Sequence, residues 1–171
     1  MHWLYLFFSV WQLYAAPEFT SQRERIHWIS AENIESAVQR ESRPVLAYIH
    51  TSWCGWCRKM ERSTFKKVAL VKYVNEHYHA VAFDGEYKHP VTFNGKTYRY
   101  SAAERVHELT LYLTRGEPAF PVVVFLNEPK GAPNPLAGYL TAQQLEPALK
   151  YFKEQPPVSF ENYLKNFKPV W

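Results

Sequence analysis

Short apolar runs alternate along the chain with amphipathic segments, and turn-forming residues separate them. Residues 45–50 (VLAYIH) and 122–126 (VVVFL) are almost wholly apolar, a pattern typical of strands that are covered on both faces. Residues 80–83 predict a third strand of this kind, and weaker strand patterns occupy residues 25–30 and 136–140. These runs predict a sheet with a buried centre.

The segments between the strands carry apolar residues at helical spacing. Helices are predicted over residues 31–41, 55–73 with an interruption near 63–67, 102–113, 141–152 and 159–167. Thr141 and Gln144 form a capping-box pattern at the start of the helix predicted over residues 141–152. Because strands and helices alternate, we predict an α/β fold with a central sheet flanked by helices. A right-handed crossover through the long second helix would join strands 45–50 and 80–83.

Residues 90–100 (PVTFNGKTYRY) interrupt this alternation. Asn94 and Gly95 stand between two β-rich runs, and Asn-Gly is the strongest short pattern for a two-residue hairpin turn, because both residues accept positive φ. We therefore predict a β-hairpin inserted at about residues 86–101, before the helix at 102–113.

Composition narrows the class of protein. The 171 residues are 47% hydrophobic and 21% charged, which fits one domain with a substantial core and excludes collagen-like and disordered chains. Two cysteines exclude a disulfide-dense scaffold. The formal net charge is +4, and no long run of like charges occurs, so we expect no nucleic-acid partner. We also expect a monomer.

The first 16 residues contain no Lys, Arg, Asp or Glu and include an apolar run from Trp3 to Tyr14. That run is too short to span a bilayer, and it is followed by the small residues Ala15 and Ala16, as in a secretory signal peptide. We expect a periplasmic or secreted protein without a stable membrane span after processing. An uncleaved membrane anchor and a buried apolar segment are the alternatives. The domain would then occupy residues 17–155, followed by an aromatic tail at 156–171.

Cys54 and Cys57 stand as Cys-Gly-Trp-Cys between a predicted strand and a predicted helix. A thiol at a helix N-terminus meets unpaired backbone N–H groups and the positive end of the helix dipole, and both favour the nucleophilic thiolate. Three residues are nearly one helical turn, so the two sulfurs can form a short-loop disulfide. We expect Cys54 to be the exposed attacking sulfur and Cys57 to resolve the mixed disulfide.

Three other uses of the two cysteines are weighed against redox chemistry. A structural disulfide over so short a loop would stabilise the fold little. A zinc site would need further ligands, and His77 and His79 are one residue apart rather than at finger spacing. Haem attachment needs a histidine where Arg58 stands. We expect no metal and no cofactor beyond the redox-active disulfide Cys54–Cys57.

The motif Trp53-Cys54-Gly55-Trp56-Cys57-Arg58-Lys59-Met60 resembles the thioredoxin superfamily, and most closely the exported bacterial thioredoxin-related proteins of the WCGWC type. The likeness extends over about residues 25–152, at positions Phe65, Val71, Asn75, Phe120, Pro121, Val122, Gly138 and Tyr139. It implies a thioredoxin fold, with a central mixed sheet flanked by helices. It also implies a thiol–disulfide oxidoreductase that acts on protein thiols and disulfides with a redox partner.

The resemblance also implies a substrate-binding surface. It would consist of Trp53, Gly55, Trp56, Phe120 and Pro121, with a cis bond before Pro121 and the backbone of Phe120 pairing with substrate. A proline that merely begins a strand is the alternative for Pro121, and ordinary core packing is the alternative for Trp53. The inserted hairpin would either overhang this face and select partners or face solvent as a decoration.

Two positions depart from the thioredoxin pattern. Phe120 stands where the family usually has a smaller or β-branched residue, and the second departure lies before the cysteines. The buried acid that the superfamily carries six residues before the first cysteine is replaced here by Tyr48, and a phenol is no base near neutral pH. The candidates for accepting the Cys57 proton are His50, Glu61, Asp84 and Glu86, which lie within sequence reach of the strand ends.

Two functions follow from these residues. The first is a cell-envelope thiol–disulfide oxidoreductase, with the reductase or interchange direction favoured because the Gly-Trp dipeptide lacks the thiolate-stabilising histidine of strong oxidants. The alternative is a non-enzymatic binding or chaperone-like module that holds other chains through exposed aromatic residues at Trp56, Tyr98, Tyr100 and the tail.

Overall fold

The computed structural model describes residues 24–128 and 130–171. The strands are β1 Val45–His50, β2 His79–Asp84, β3 Val91–Phe93, β4 Lys96–Tyr98, β5 Tyr100–Ser101, β6 Val106–His107, β7 Val122–Leu126 and β8 Asn134–Ala137. The helices are α1 Ile34–Arg40, α2 Gly55–Arg62, α3 Val68–His77, α4 Glu108–Leu113, α5 Ala142–Glu154 and α6 Phe160–Asn166, with single 3-10 turns at Ala31–Asn33 and Thr64–Lys66. None of the helices in this part of the chain has the length and apolar character needed to cross a bilayer. The signal peptide predicted at residues 1–16 lies outside the described residues.

The central sheet has four strands in the order β2-β1-β7-β8. Strands β1 and β2 are parallel, and α2 and α3 connect them. Strands β7 and β8 continue the sheet in antiparallel pairing. The two central strands are the two apolar runs of the sequence, and the prediction of a mixed sheet flanked by helices is confirmed.

Both faces of the sheet are covered. One face carries Leu46, Tyr48, Val123 and Phe125 and packs against α2, α3 and α5. The other carries Val45, Ala47, Ile49, Val122, Val124 and Leu126 and packs against α1, α4 and the β3–β4 hairpin. A fully buried side chain of this size contributes about 1.5–3 kcal/mol, so β1 is held rigidly, and the segment after it starts from a fixed point.

The predicted hairpin is present, but its tip points away from the cysteines. Asn94 and Gly95 have φ of 54° and 71°, as a two-residue turn with positive φ requires. The Gly95 N–H donates to Glu35 Oε1 of α1 at 3.2 Å, and the tip lines a cleft with Ser42 and Glu128. Ser42 lies just before β1 and Glu128 just after β7, so the tip lies at the end of the sheet opposite to Cys54, which follows β1. Of the two alternatives for the hairpin, the one in which it overhangs the active-site face is therefore wrong.

Several predicted elements have different bounds in the structure. The helix predicted over residues 55–73 is two helices, α2 and α3, and the second ends at His77. The helix predicted from residue 102 begins at Glu108, because Arg105 has φ 58° and β5 pairs with β6. Of residues 25–30, only Ile29 forms a bridge, to Val81 on β2. The edge strand predicted at 136–140 is Asn134–Ala137, since Gly138 with φ 94° ends it.

The chain after α5 packs back onto the domain. Phe160 of α6 lies 5.8 Å from the ring of Phe152 on α5. Glu146, also on α5, is fully buried: its Oε2 accepts the N–H groups of Val170 at 2.8 Å and Trp171 at 3.1 Å. Its Oε1 accepts from Lys150 Nζ at 2.8 Å. One buried carboxylate therefore connects the last residues to the body of the domain.

His107 is fully buried and caps α4. Its Nδ1 accepts the N–H of Leu109 at 3.1 Å, and its Nε2 lies 3.1 Å from the carbonyl oxygen of His89. The ring therefore acts as acceptor at Nδ1 and donor at Nε2, which is the neutral tautomer. Burial lowers the pKa of His107 below its usual value, against weaker opposing effects of the His89 carbonyl and of Glu108.

We expect His107 to make the folded state less stable in acid. Between its lowered pKa and the ordinary value of about 6.5, the unfolded chain binds a proton that the folded chain excludes, so stability is fully present above that range and falls as pH drops through it. Urea unfolding at a series of pH values between about 7.5 and 5 measures this pH dependence of the free energy of unfolding. His107→Gln should flatten the slope relative to the unsubstituted protein, and an unchanged slope would contradict the assignment.

Candidate active site

The end of β1 places Cys54 at the N-terminus of α2. The N–H of Cys54 donates to the carbonyl of Thr51 at 3.2 Å and closes the turn between strand and helix. Cys54 caps α2, and its Sγ accepts the N–H of Cys57 at 3.0 Å. The two sulfurs are bonded, with Cα atoms 5.2 Å apart. The predicted pair of cysteines, one helical turn apart at a helix N-terminus, is therefore present.

The exposure of Cys54 differs from the prediction. Cys54 is only 4% exposed and Cys57 is 1% exposed, because the Cys54 sulfur is directed into the first turn of α2 to bond Cys57 and accept its N–H. In the disulfide form, the expected exposed attacking sulfur is therefore largely covered. Cys54 is nevertheless more exposed than Cys57, as predicted.

Trp53 and Phe120 form an exposed aromatic pair beside the disulfide. The Trp53 side chain is 62% exposed, which excludes the alternative that it is an ordinary core residue. Its ring meets the half-buried ring of Phe120 edge-on, with centroids 5.9 Å apart. The bond between Phe120 and Pro121 is cis, as the resemblance implies, and the Pro121 carbonyl accepts the N–H of Gly138 at 2.7 Å.

Gly85 supports this aromatic pair. A Cβ added at Gly85 would lie 2.7 Å from Phe120 Cζ, so only glycine lets the ring lie directly on the backbone. The Gly85 carbonyl is fixed by the His107 N–H at 2.8 Å and by Thr110 Oγ1 at 3.1 Å. Sequence reasoning missed Gly85, because its neighbour in space is 35 positions away along the chain.

On α2, Trp56 is exposed as predicted, at 57%. Its ring lies 5.5 Å from that of Tyr139, and Lys59 Nζ lies 4.7 Å and 4.8 Å from the two ring centres. Gly55 begins α2, where an added Cβ would make only ordinary contact with the Arg58 side chain at 3.9 Å. The two tryptophans thus place apolar surface before and after Cys54.

Tyr48 lies buried beneath Cys57 and connects it to Glu61. The Tyr48 hydroxyl lies 3.1 Å from the carbonyl oxygen of Cys57 and 3.3 Å from Glu61 Oε1, and its single O–H hydrogen is shared between these two acceptors. Burial, and secondarily the Glu61 carboxylate, raise the pKa of Tyr48 far above its usual range. The phenol therefore stays protonated and acts as a donor. Glu61 follows Cys57 by four residues, which is one helical turn.

The other candidates for a proton acceptor are less directly placed. His50 stacks on the Tyr48 ring at 5.3 Å and lines a pocket of about 330 Å³ together with Glu61. Asp84 accepts the backbone N–H of Glu86 at 2.9 Å, and Glu86 itself lines a different cleft. Among the four residues, Glu61 alone is joined to the Cys57 backbone through one side chain.

The remaining residues considered from the sequence have structural contacts. His79 Nε2 lies 2.8 Å from the Glu41 carbonyl oxygen, and the His77 ring packs on Tyr73 at 4.4 Å. Tyr98, which the alternative of a binding module requires to be exposed, is buried. It pairs with Val91 across the hairpin and joins the core under β1 and β7. Tyr100 is half-buried, with Lys88 Nζ above its ring.

Comparisons with known proteins agree with this fold. The solved structures that the chain resembles include a thioredoxin-fold protein from Helicobacter pylori (18% identity, TM-score 0.54, covering 72% of this chain and 78% of that one). They also include the oxidoreductase DsbH (17% identity, TM-score 0.54, covering 77% of this chain and 87% of that one). A third is a thioredoxin from Thermus thermophilus (16% identity, TM-score 0.50, covering 77% of this chain and 87% of that one). No curated protein sequence matches the chain significantly.

The family model of the thioredoxin-like domain matches residues 31–153. That segment runs from the turn before α1 almost to the end of α5, and it contains the whole central sheet and both cysteines. The match and the bonded CXXC pair support the predicted class of enzyme, a thiol–disulfide oxidoreductase. Because the matched segment is well over half of the sequence, the chain belongs to the thioredoxin-like domain family.

Proposed function

We propose that this protein is a thiol–disulfide oxidoreductase that reduces or interchanges disulfides of protein substrates in the cell envelope. The observation that carries the proposal is the Cys54–Cys57 disulfide at the N-terminus of α2, at the end of the buried strand β1. A helix N-terminus favours a thiolate, and the adjacent sulfur permits intramolecular resolution.

The reaction begins with the reduced dithiol form. The Cys54 thiolate attacks one sulfur of a client disulfide; a mixed disulfide forms, and the other client sulfur leaves as a thiolate that takes up a proton. Cys57 then loses its proton and attacks the Cys54 sulfur, which releases the second client thiol and forms the Cys54–Cys57 disulfide. Two electrons have passed from the protein to the client, and a redox partner must return them.

Glu61 is proposed as the acceptor of the Cys57 proton. It lies one helical turn after Cys57 and contacts the Tyr48 hydroxyl, which also contacts the Cys57 carbonyl. The negative charge of the Glu61 carboxylate also disfavours the thiolate form of Cys57 through charge repulsion. That repulsion stabilises the disulfide relative to the reduced form and favours the reductase direction.

Glu61→Gln should slow the resolving step about tenfold, since a positioned general base contributes at least that much. Attack by Cys54 should be unchanged, because it precedes the proton transfer at Cys57. Stopped-flow measurement of mixed-disulfide formation and decay separates the two steps. Tyr48→Phe, which removes the hydroxyl that connects Glu61 to Cys57 and keeps the ring, should slow the same step and leave attack by Cys54 unchanged. Equal decay rates in Glu61→Gln and the unsubstituted protein would exclude Glu61 as the acceptor.

The client is proposed to bind over Trp53, Gly55, Trp56, Phe120 and Pro121. The exposed Trp53 and Trp56 supply apolar contact, and the Phe120 backbone would pair with an extended client segment. Location in the envelope rests on the sequence pattern of residues 1–16. The mass of the protein purified from its native host would show whether that segment is removed.

The proposed direction is tested by equilibrating the purified protein with glutathione buffers and by following insulin reduction. We expect catalytic insulin reduction and a Cys54–Cys57 potential well below that of glutathione, so that the protein reduces rather than oxidises its clients. A potential near that of the strong periplasmic oxidants would overturn the direction. The absence of any exchange with glutathione or insulin would overturn the enzymatic function.

A further inference from the structure

A cleft opens directly beside the aromatic pair, and it shares only Trp53 and Phe120 with the proposed client-binding surface. Its volume is about 520 Å³. Five apolar residues and three charged residues line it: Trp53, Val106, Pro118, Ala119 and Phe120, and Glu86, Glu104 and Arg105. Trp53 directly precedes Cys54 in the chain, so anything that occupies this cleft lies next to a client held at the disulfide.

The segment between β2 and α4 builds the charged wall of the cleft. Glu86 follows β2, and the short β5–β6 hairpin carries Glu104 and Arg105 across to the aromatic pair. The Glu104 N–H donates to Ser101 Oγ at 3.2 Å, and Arg105 takes the left-handed conformation with φ 58°. The β5–β6 hairpin, rather than the Asn94–Gly95 tip of the β3–β4 hairpin, therefore reaches the aromatic pair beside the disulfide.

The charge of the cleft opposes that of the chain. Two carboxylates and one guanidinium line it, so its lining carries a net negative charge, whereas the whole chain has a formal net charge of +4. Because exposed charges act over about a Debye length (~10 Å at 0.1 M salt), a bound segment would sense the cleft more strongly than the rest of the surface. An acidic rim around an apolar floor complements a segment with a large apolar side chain and a neighbouring cation.

We propose that this cleft is a specificity subsite for the client segment that flanks the reacting cysteine, and that it selects a large apolar residue before the cysteine and Arg or Lys after it. The inference rests on the proposed function. The apolar side chain lies against Trp53 and Phe120, and the cationic side chain lies between Glu86 and Glu104. Rim charges change association more than they change bound-state energy, so the selection appears in the rate of attack by Cys54.

The test uses three short peptides, each with one cysteine held as a mixed disulfide with an aryl thiol. Their central sequences are Phe-Cys-Arg, Phe-Cys-Glu and Gly-Cys-Gly. The reduced protein attacks the peptide sulfur through Cys54 and releases the coloured aryl thiolate; Cys57 then displaces the peptide thiol and forms the protein disulfide. The release rate therefore reports attack by Cys54.

We expect the Phe-Cys-Arg peptide to react about tenfold faster than the Phe-Cys-Glu peptide at low salt, and this ratio to shrink as salt is added. The double variant Glu86→Gln, Glu104→Gln should bring the ratio close to one. Glu161→Gln is the matched control, since Glu161 is an exposed carboxylate on α6 that pairs with Lys165, and it should keep the tenfold ratio.

Two results would contradict the subsite and leave the proposed function standing. These are equal rates for all three peptides, and a double variant that slows every peptide without changing the ratio. If no peptide reacts, including Gly-Cys-Gly, the proposed function itself fails.

Discussion

Cys54→Ser should abolish the reduction of protein disulfides, whereas Cys57→Ser should stop the reaction one step later with the client bound to Cys54. The nucleophile is a thiolate at the N-terminus of α2, and a serine hydroxyl in its place stays protonated and cannot form a disulfide. Without the Cys57 sulfur, nothing within the active site can displace the client from Cys54. Insulin reduction should fall to the uncatalysed rate in both variants.

Non-reducing electrophoresis distinguishes the two variants. The chain has two cysteines, so each variant keeps one thiol, and a mixed disulfide identifies its position without ambiguity. Alkylation of the reduced protein should be faster at Cys54 than at a model thiol, because the helix N-terminus favours its thiolate. Accumulation of client on Cys57 in the Cys54→Ser variant, with none on Cys54 in Cys57→Ser, would reverse the assigned roles.

The sequence predicted the core of the fold because burial on both faces leaves a simple pattern. Strands 45–50 and 122–126 are almost wholly apolar and have the same bounds in the structure. The helix expected from residue 102 was wrong at its start, since β5–β6 pairing and the left-handed Arg105 override helical periodicity there. The hydrophobic pattern of this segment does not indicate the pairing of β5 with β6, although the paired residues lie close together in the chain.

The site was predictable to the extent that its chemistry is local. Cys54 and Cys57 lie in one motif, so their spacing predicted both the turn and the bond. Glu61 could not be singled out, because the choice among four polar residues depends on the buried Tyr48 hydroxyl. The hairpin direction was also beyond reach, since the Gly95 contact with Glu35 joins distant positions.

Glu146, like Glu61, could not be singled out from the sequence. Among the substitutions proposed here, its loss should have the largest effect on the stability of the folded protein. Its carboxylate, fully buried on α5, accepts hydrogen bonds from Lys150, Val170 and Trp171. Hydrogen bonds to a charged group contribute about 1.5–3 kcal/mol each in favourable cases, and breaking a buried ion pair costs about 3–5 kcal/mol. We expect Glu146→Ala to lower the free energy of unfolding by about 3 kcal/mol.

Glu146→Gln keeps the size and one acceptor oxygen for the two backbone N–H groups, and Lys150, whose side chain is 24% exposed, can turn to water. It should therefore cost about 1 kcal/mol. Urea unfolding with the disulfide intact measures both variants. The activity of the folded fraction should stay normal, since the structure places Glu146 among contacts of α5 and the last residues rather than at Cys54.

A double-mutant cycle isolates the contact itself. Removal of Val170 and Trp171 should destabilise the protein, because Glu146 then stays buried with Lys150 as its remaining partner. In that shortened chain, Glu146→Ala should cost about 2 kcal/mol less than in the full chain, since the two changes remove the same hydrogen bonds. Additive losses would mean that Glu146 and the last residues stabilise the fold independently. A shortened chain as stable as the full one would show that the buried carboxylate finds other partners and that the tail contact contributes nothing.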